Sequence, residues 1–342
     1  MNALAKSSDE TLNRIVMPDF SVVICAYTQD RWKDLVAAVQ AVQAQTVSPW
    51  EILVVVDHNP DLWQRVCLSI PGVIVLENAQ QPGLSGARNS GVKAAWGEII
   101  AFVDEDAVPA TDWLERLSQG YTDPCVLGVG GAIEPMWTTG RPGWFPKEFD
   151  WVVGCTYQGM PSVTAPVRNL IGCNMSFRRE VFDAIGGFRH GIGRIGAHPL
   201  GCEETELCIR IHRRWPQAIL AYEPSARVFH RIPSTRTNWE YFRSRCYYEG
   251  RSKATVAALT GSRDGLATEW NYTLKTLPRG IYRGLLDWVR GDSAALARAG
   301  AILAGLAIAT AGYLTGRLLI ASKRERVYRP SEPVAAKEMT IP

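Results

Sequence analysis

Polar and apolar positions along the chain fall into two recurring patterns. Phe20-Ser21-Val22-Val23-Ile24-Cys25-Ala26-Tyr27, Glu51 to Val56 and Val73 to Leu76 are short runs, mostly apolar. Such runs predict strands buried on both faces of a sheet. After the first of them Trp32, Leu35, Val39 and Val42 recur at helical spacing, which predicts an amphipathic helix. The second run stops at Asp57-His58-Asn59-Pro60. Buried strands alternating with amphipathic helices predict an α/β fold with a mostly parallel sheet covered on both faces. That fold hosts many chemistries, so function has to be argued from the strand ends.

The most informative end is Gly97-Glu98-Ile99-Ile100-Ala101-Phe102-Val103-Asp104-Glu105-Asp106, an apolar run closed by three acids. Asp104 and Asp106 are two apart, and at an irregular strand end both can reach one hard cation that also binds phosphate oxygens. An acidic turn that merely solvates a strand end has the same composition. The loop Gln81 to Gly91 joins turn-forming glycines to Arg88 just ahead of a helix. Its backbone N–H groups and the guanidinium are suited to a diphosphate, or to supporting the acidic strand end. The spacing is not that of a phosphate-binding P-loop, and Gly128-Val129-Gly130-Gly131, with Pro135 close behind, reads as strand and turn rather than a dinucleotide fingerprint.

Composition narrows the field. The 342 residues carry a net charge of only +3, which gives no reason to expect nucleic acid. The eight cysteines include no Cys-x-x-Cys pair, and Met1 to Met17 has no apolar signal core. Reduced thiols and a cytosolic catalytic part are therefore expected.

Val22 to Tyr27, Glu51 to Asp57, Gly83 to Gly91 and Gly97 to Asp106, taken in order, resemble the donor-binding half of family 2 glycosyltransferases of the GT-A fold. The resemblance extends over roughly residues 20–235. It implies that Ala26, Tyr27 and Asp57 lie against the nucleoside. It also implies that Gly83, Arg88, Asp104, Glu105 and Asp106 surround the diphosphate, and that Asp104 and Asp106 hold Mn²⁺ or Mg²⁺. His58 stands where the family often has a second Asp.

Val167 to Arg179, followed by Ile185-Gly186-Gly187-Phe188, resembles the family's middle segment and reads as a strand, a turn at Gly172 and a helix ended by glycines. Gly172 and Asn174 are candidates for close approach to the sugar, and a packed strand–helix corner explains the same glycines. Leu200 to Arg210 opens a helix with acids in its first turn, where the helix dipole favours them. Against the family, the second acid, Glu204, takes the place of the general base, with Glu203 beside it in the acceptor and sugar pocket. His230, closing the last strand, either completes the metal shell, contacts the leaving diphosphate or is structural. Trp137, Trp144, Phe145, Phe149, Trp151 and Tyr157 are dense enough to stack on sugars or receive a lipid, and equally serve plain packing. Tyr241 to Lys253 mixes cations with aromatics and reads as a wall for a phosphate-bearing substrate or as a solvated helix face.

Beyond residue 265 the pattern changes. Leu274, Leu277, Ile281, Leu285, Leu286 and Trp288 are interleaved with Lys275, Arg279, Arg283 and Arg290, which suits an anionic membrane surface. Ala299 to Gly316 carries no charge but is diluted by Ala, Gly and Thr, and Arg317, Lys323, Arg324 and Arg326 follow. Retention of these cations on the cytoplasmic side argues for a shallow or re-entrant helix rather than a crossing, and a soluble helical tail or a dimer interface has the same composition.

The expected organisation is an N-terminal arm over 1–18, a catalytic domain over 19–264 and C-terminal helices with a basic tail over 265–342. Within the catalytic domain the donor half is 19–110 and the acceptor half 111–264. The expected activity is inverting, metal-dependent transfer from a nucleotide-diphosphate sugar to a lipid-linked or glycan acceptor. Its expected place is the cytoplasmic face of the cell membrane, with no nucleic acid involved. A nucleotidyltransferase using the same acids, or a non-catalytic membrane-docking subunit, are the alternative classes.

Overall fold

The computed structural model describes residues 17–194, 200–261 and 271–327. Most of the arm expected over 1–18, and the tail beyond residue 327 with the side chains of Lys323, Arg324 and Arg326, lie outside the described residues.

The predicted parallel strands form as β1 (Phe20–Ala26), β2 (Glu51–Val56), β3 (Ile74–Glu77) and β4 (Ile99–Asp104), in the order β3-β2-β1-β4. Their pairings are all parallel. The second half is mixed. After β5 (Ala107–Pro109), β6 (Val126–Trp137) and the short β7 (Ala165–Pro166), β8 (Asn174–Arg178) enters antiparallel between β4 and β6. The long β9 (Ile219–Ile232) then pairs parallel with β6 and antiparallel with β5 and β7.

Alternation along β1 assigns side chains to two cores. Val22 and Ile24 face one that includes Leu35 and Val39 of α1 (Trp32–Gln43), Leu62 of α2 (Pro60–Ser69) and Trp113 of α4 (Trp113–Gln119). Val23 faces the other, with Ala87 of α3 (Leu84–Ala94), Val181 of α5 (Arg179–Ile185) and Leu207 of α6 (Glu203–Arg214). A period of two in the strand thus explains the cover on both faces. Local chemistry sets the helix ends: Asn59 Oδ1 accepts from Leu62 N at 3.0 Å to cap α2, and Gly186, at φ +77°, stops α5.

The C-terminal helices pack directly on this body. α7 (Trp239–Thr260) lies against α9 (Ala295–Val327), and α8 (Leu277–Val289) bridges to the Lys147–Val153 segment. A Cβ on Gly250 would lie 2.0 Å from the Ala309 carbonyl oxygen, and one on Gly312 would lie 2.0 Å from that of Tyr247. Glycine at both positions is what allows the two backbones to touch. Glu148, buried, pairs with Arg283 of α8, and its carbonyl accepts from Tyr272 OH at 2.6 Å.

Candidate active site

The parallel register brings the ends of β1, β2 and β4 to one edge, where they open into a cavity of about 670 Å³. Ala26, Tyr27, Asp57, Gly83, Arg88, Asp104, Glu105 and Asp106 all line it. Asp57 organises the rim: its Oδ1 accepts from Asn78 Nδ2 at 2.6 Å and its Oδ2 from Gly83 N at 2.8 Å. Gly83 has φ +119°, a conformation that residues with a Cβ rarely adopt. Tyr27 is exposed at the mouth, with the Arg31 guanidinium 5.3 Å from its ring centre.

Arg88 is the buried hub. Its Nη1 donates to Glu203 Oε1 at 2.7 Å, and its Nη2 donates to Gly172 O at 3.0 Å and Asp104 Oδ1 at 3.4 Å. One side chain therefore ties the Gly-rich loop to α6, to the turn before β8 and to the acidic strand end. A Cβ on Gly172 would sit 2.9 Å from Arg88 Nη2, which accounts for the glycine without a bound sugar.

Asp106 is buried among cations. Its Oδ1 lies 3.1 Å from His230 Nε2, and its Oδ2 lies 3.2 Å from Arg31 Nη1 and 3.3 Å from Arg236 Nη2. Burial alone would raise its pKa, but His230, Arg31 and Arg236 outweigh it and hold the carboxyl well below the usual carboxylate range. Glu105 shares Arg31, at 3.1 Å, yet burial pushes its pKa up to about 8, and its Oε2 has no hydrogen-bond partner among the described residues. Donor atoms of Asp104, Cys173 and His230 lie within 4.8 Å of one another, so the cavity contains a set able to hold a metal ion.

The two acids that open α6 differ in state. Glu203 is buried and ion-paired to Arg88, while Glu204 is half-buried and lines the cavity, with Thr205 Oγ1 donating to its Oε1 at 3.1 Å. Burial, reinforced by the neighbouring Glu203 charge, raises the Glu204 pKa to about 8. Cys202, just before them, has φ +73° in the left-handed region, a strained start that sets the direction in which this turn projects.

Three expectations are corrected. Asn174 does not reach the cavity. It is fully buried, donates to Ala132 O and Ala226 O at 3.0 and 2.8 Å and accepts from Trp113 Nε1 at 2.8 Å, so it pins strands together. Trp137 and Trp144 do not line the cavity either. They pack in a cluster with Phe145, and Trp144 also with Trp239 and Phe242. Besides Tyr27 at the mouth, the aromatics that do face the cavity are Phe149, Trp151, Tyr157, Tyr241, Tyr272 and Tyr313.

Sequence reasoning missed Arg31, just past Tyr27, and Arg236, outside the quoted motifs, and the wall made by Leu277, Leu306, Ala309 and Tyr313 from the C-terminal helices. The Gly spacing in α9 was the one signal for close packing there.

The fold is an α/β architecture with this cavity at the carboxyl ends of its parallel strands. Residues 21–186 match the profile of Glycosyl transferase family 2. The chain is 35% identical over 243 residues to the glucosyl-dolichyl phosphate glucuronosyltransferase of Haloferax volcanii, covering 70% of this chain and 77% of that protein. The protein belongs to the family 2 glycosyltransferases. Its fold is that of the mannosyltransferase PcManGT from Pyrobaculum calidifontis, solved with GDP-Man and Mn²⁺ (TM-score 0.54, 19% identity, 92% of this chain and 82% of that one). The fold also matches GalNAc-T7, solved with UDP, GalNAc and Mn²⁺ (TM-score 0.50, 18% identity, 76% of this chain and 57% of that one).

Proposed function

We propose that the protein is an inverting glycosyltransferase that moves a sugar from a nucleotide diphosphate to a hydroxyl on a lipid-phosphate-linked acceptor, working at a membrane surface. The observation that carries this reading is the composition of one cavity: diphosphate-binding groups and Asp104 on one wall, Glu204 on another, and the apolar C-terminal helices on a third. The relative from Haloferax volcanii, named for a dolichyl-phosphate acceptor, supports the lipid-linked class.

In this reading Asp57 holds the loop that receives the nucleoside, and Arg88 keeps Asp104 and Glu203 in place. Glu204 takes the proton from the acceptor hydroxyl as its oxygen bonds to the anomeric carbon. The bond from that carbon to the diphosphate breaks with inversion, and the nucleoside diphosphate departs. A single carboxylate on the acceptor side is what inversion requires. Asp104 and His230, with Asp106 supporting His230, would hold Mn²⁺ or Mg²⁺, and the convergence of Asp104, Cys173 and His230 donor atoms fits a divalent ion. When bound, the ion neutralises the charge that builds on the leaving diphosphate. Arg31 and Arg236 keep Asp106 ionised for that task, and Arg245 and Lys253 of α7, which also line the cavity, are suited to an acceptor phosphate.

The membrane contact is interfacial. Ala295–Ser322 has a mean hydropathy of 1.6 and is long enough to cross a bilayer. Yet Gly305, Gly312 and Gly316 of α9 are buried against Phe149 and α7, whose surface carries Arg243, Arg251 and Lys253. A helix so packed cannot leave its charged neighbour for hydrocarbon. Leu296, Leu303, Leu314 and Leu318 form its exposed stripe, and Tyr282, Leu285, Leu286 and Val289 form that of α8.

The test is transfer from each of a panel of nucleotide sugars to a short polyprenyl-phosphate glucoside with Mn²⁺, followed by NMR of the new linkage. Release of the nucleoside diphosphate with inverted anomeric configuration is expected. Release of pyrophosphate would identify a nucleotidyltransferase, and no turnover on any pair would favour a docking subunit.

A further inference from the structure

We propose that Cys173 is a thiolate ligand of the divalent ion held beside Asp104 and His230, so that the site binds through oxygen, nitrogen and sulfur together. The inference rests on the reading of this cavity as a cation site. It starts from the geometry: the sulfur, a carboxylate oxygen of Asp104 and a ring nitrogen of His230 all lie within 4.8 Å of one another, on the wall of the cavity. Small side-chain shifts bring three atoms so placed to the roughly 2.0–2.3 Å bond lengths of a single ion.

Both neighbours of Cys173 in the chain are pinned. The Gly172 carbonyl accepts from Arg88 at 3.0 Å, and Asn174 is held by three hydrogen bonds. The sulfur is therefore placed by backbone it does not itself hold, which is the preorganisation a ligand needs. His230 is likewise oriented: its Nδ1 lies 3.6 Å from Cys155 Sγ. In the tautomer with its proton on Nδ1, directed at that sulfur, Nε2 offers its lone pair to an ion, which replaces the hydrogen bond Nε2 otherwise donates to Asp106 Oδ1. Nε2 lies 3.1 Å from Asp106 Oδ1, and the other Asp106 oxygen is occupied by Arg31 and Arg236. Asp106 then supports the site beside His230 while Cys173 supplies the third donor.

Coordination replaces the S–H bond of Cys173 by a metal–sulfur bond and releases the proton to solvent. A sulfur donor shifts preference from Mg²⁺ towards Co²⁺ and Zn²⁺.

The experiment is titration of the full chain with Co²⁺ alone, followed by absorption and by calorimetry. The wild type should develop a near-ultraviolet sulfur-to-cobalt charge-transfer band. Cys173→Ser should lose the band and bind Co²⁺ roughly 10–100-fold more weakly, and Cys155→Ser should retain the band. Cys173→Ala replaces the serine variant if the latter does not fold. Co²⁺ bound without the band, or a band that survives loss of Cys173, overturns the thiolate assignment and leaves the cation site standing. Failure of the wild type to bind Co²⁺ or Mn²⁺ at all overturns both.

Discussion

The donor wall and the C-terminal wall of the cavity are built on opposite principles. Arg88, 2% exposed, joins three backbone segments through directed hydrogen bonds, and Asp106 is held by Arg31, Arg236 and His230. The opposite wall has α7 and α9 in backbone contact at Gly250 and Gly312, with Leu306, Ala309 and Tyr313 facing inward. Directed, buried charge fixes positions to within a hydrogen bond and penalises any missing partner. Glycine-mediated apolar packing fixes only shape. The first suits a donor whose diphosphate must be placed against a base, and the second suits an acceptor with a long apolar chain. Substitutions in the two walls should therefore fail in different ways.

The largest effect belongs to the chemistry between the walls. Glu204→Gln should keep donor binding and lower the single-turnover rate at saturating donor by about 10²–10⁴-fold. Near-wild-type chemistry in that variant would remove Glu204 as the base. The raised pKa also predicts a pH profile. A base must be ionised, so kcat/KM should rise with pH and level off above about 8, and the rise should vanish in Glu204→Gln. It should persist in Glu105→Gln, which separates the two carboxyls with similar pKa values.

Next is the donor hub. Arg88→Met leaves the buried Glu203 charge unpaired, and breaking a buried pair costs about 3–5 kcal/mol. Urea denaturation should show a loss of that order, and donor affinity should fall with it because Asp104 loses its tether. A loss below about 1 kcal/mol would mean that Arg88 does not organise this wall.

Much of the donor wall was legible because its strands are buried on both faces and end together. Continuous apolar runs locate Phe20–Ala26, Glu51–Val56 and Ile99–Asp104, and a parallel register then brings Tyr27, Asp57 and Asp104 to one edge. The rest depended on long-range pairing. No local pattern distinguishes Asn174, which bonds to residues 42, 52 and 61 positions away, from an asparagine facing a sugar. Trp137 and Trp144 were misplaced for the same reason: aromatic density marks a hydrophobic cluster but not which of its members reach the cavity. The partners of Asp106 come from Arg31 before the acidic strand and Arg236 well after it. The basic amphipathic pattern of the last helices revealed their exposed side, while the spacing of Gly305, Gly312 and Gly316 was the one sign of the face that seats α9 against the catalytic body.

Overpacking tests the C-terminal wall. Gly250→Leu and Gly312→Leu insert side chains where a Cβ already meets a carbonyl oxygen at 2.0 Å, and should destabilise by about 1–3 kcal/mol. Donor binding by calorimetry should change little, whereas transfer to a lipid-linked acceptor should fall more than transfer to a short soluble one. Equal losses with both acceptors would mean that this wall serves the whole site rather than the lipid.

The smallest effect on stability is expected on the outer side of the same helices. Leu285→Ser, Val289→Ser and Leu318→Ser replace side chains that are 46%, 77% and 71% exposed, so each should alter unfolding free energy by no more than about 0.5 kcal/mol. Their effect should be on partitioning to vesicles. Full burial of such a side chain is worth about 1.5–3 kcal/mol, and at 1.4 kcal/mol per decade each loss should weaken binding by about tenfold. Arg279 of α8 and Arg290 just after it, both exposed, should add about 1 kcal/mol apiece on anionic vesicles and nothing measurable on neutral ones at high salt. Sedimentation of the triple variant with mixed anionic vesicles decides the matter. Binding reduced by two to three decades, with the melting temperature unchanged, is the outcome for an interfacial helix pair. Undiminished binding would place the membrane contact on another surface, and the C-terminal wall would then be a purely internal feature of the cavity.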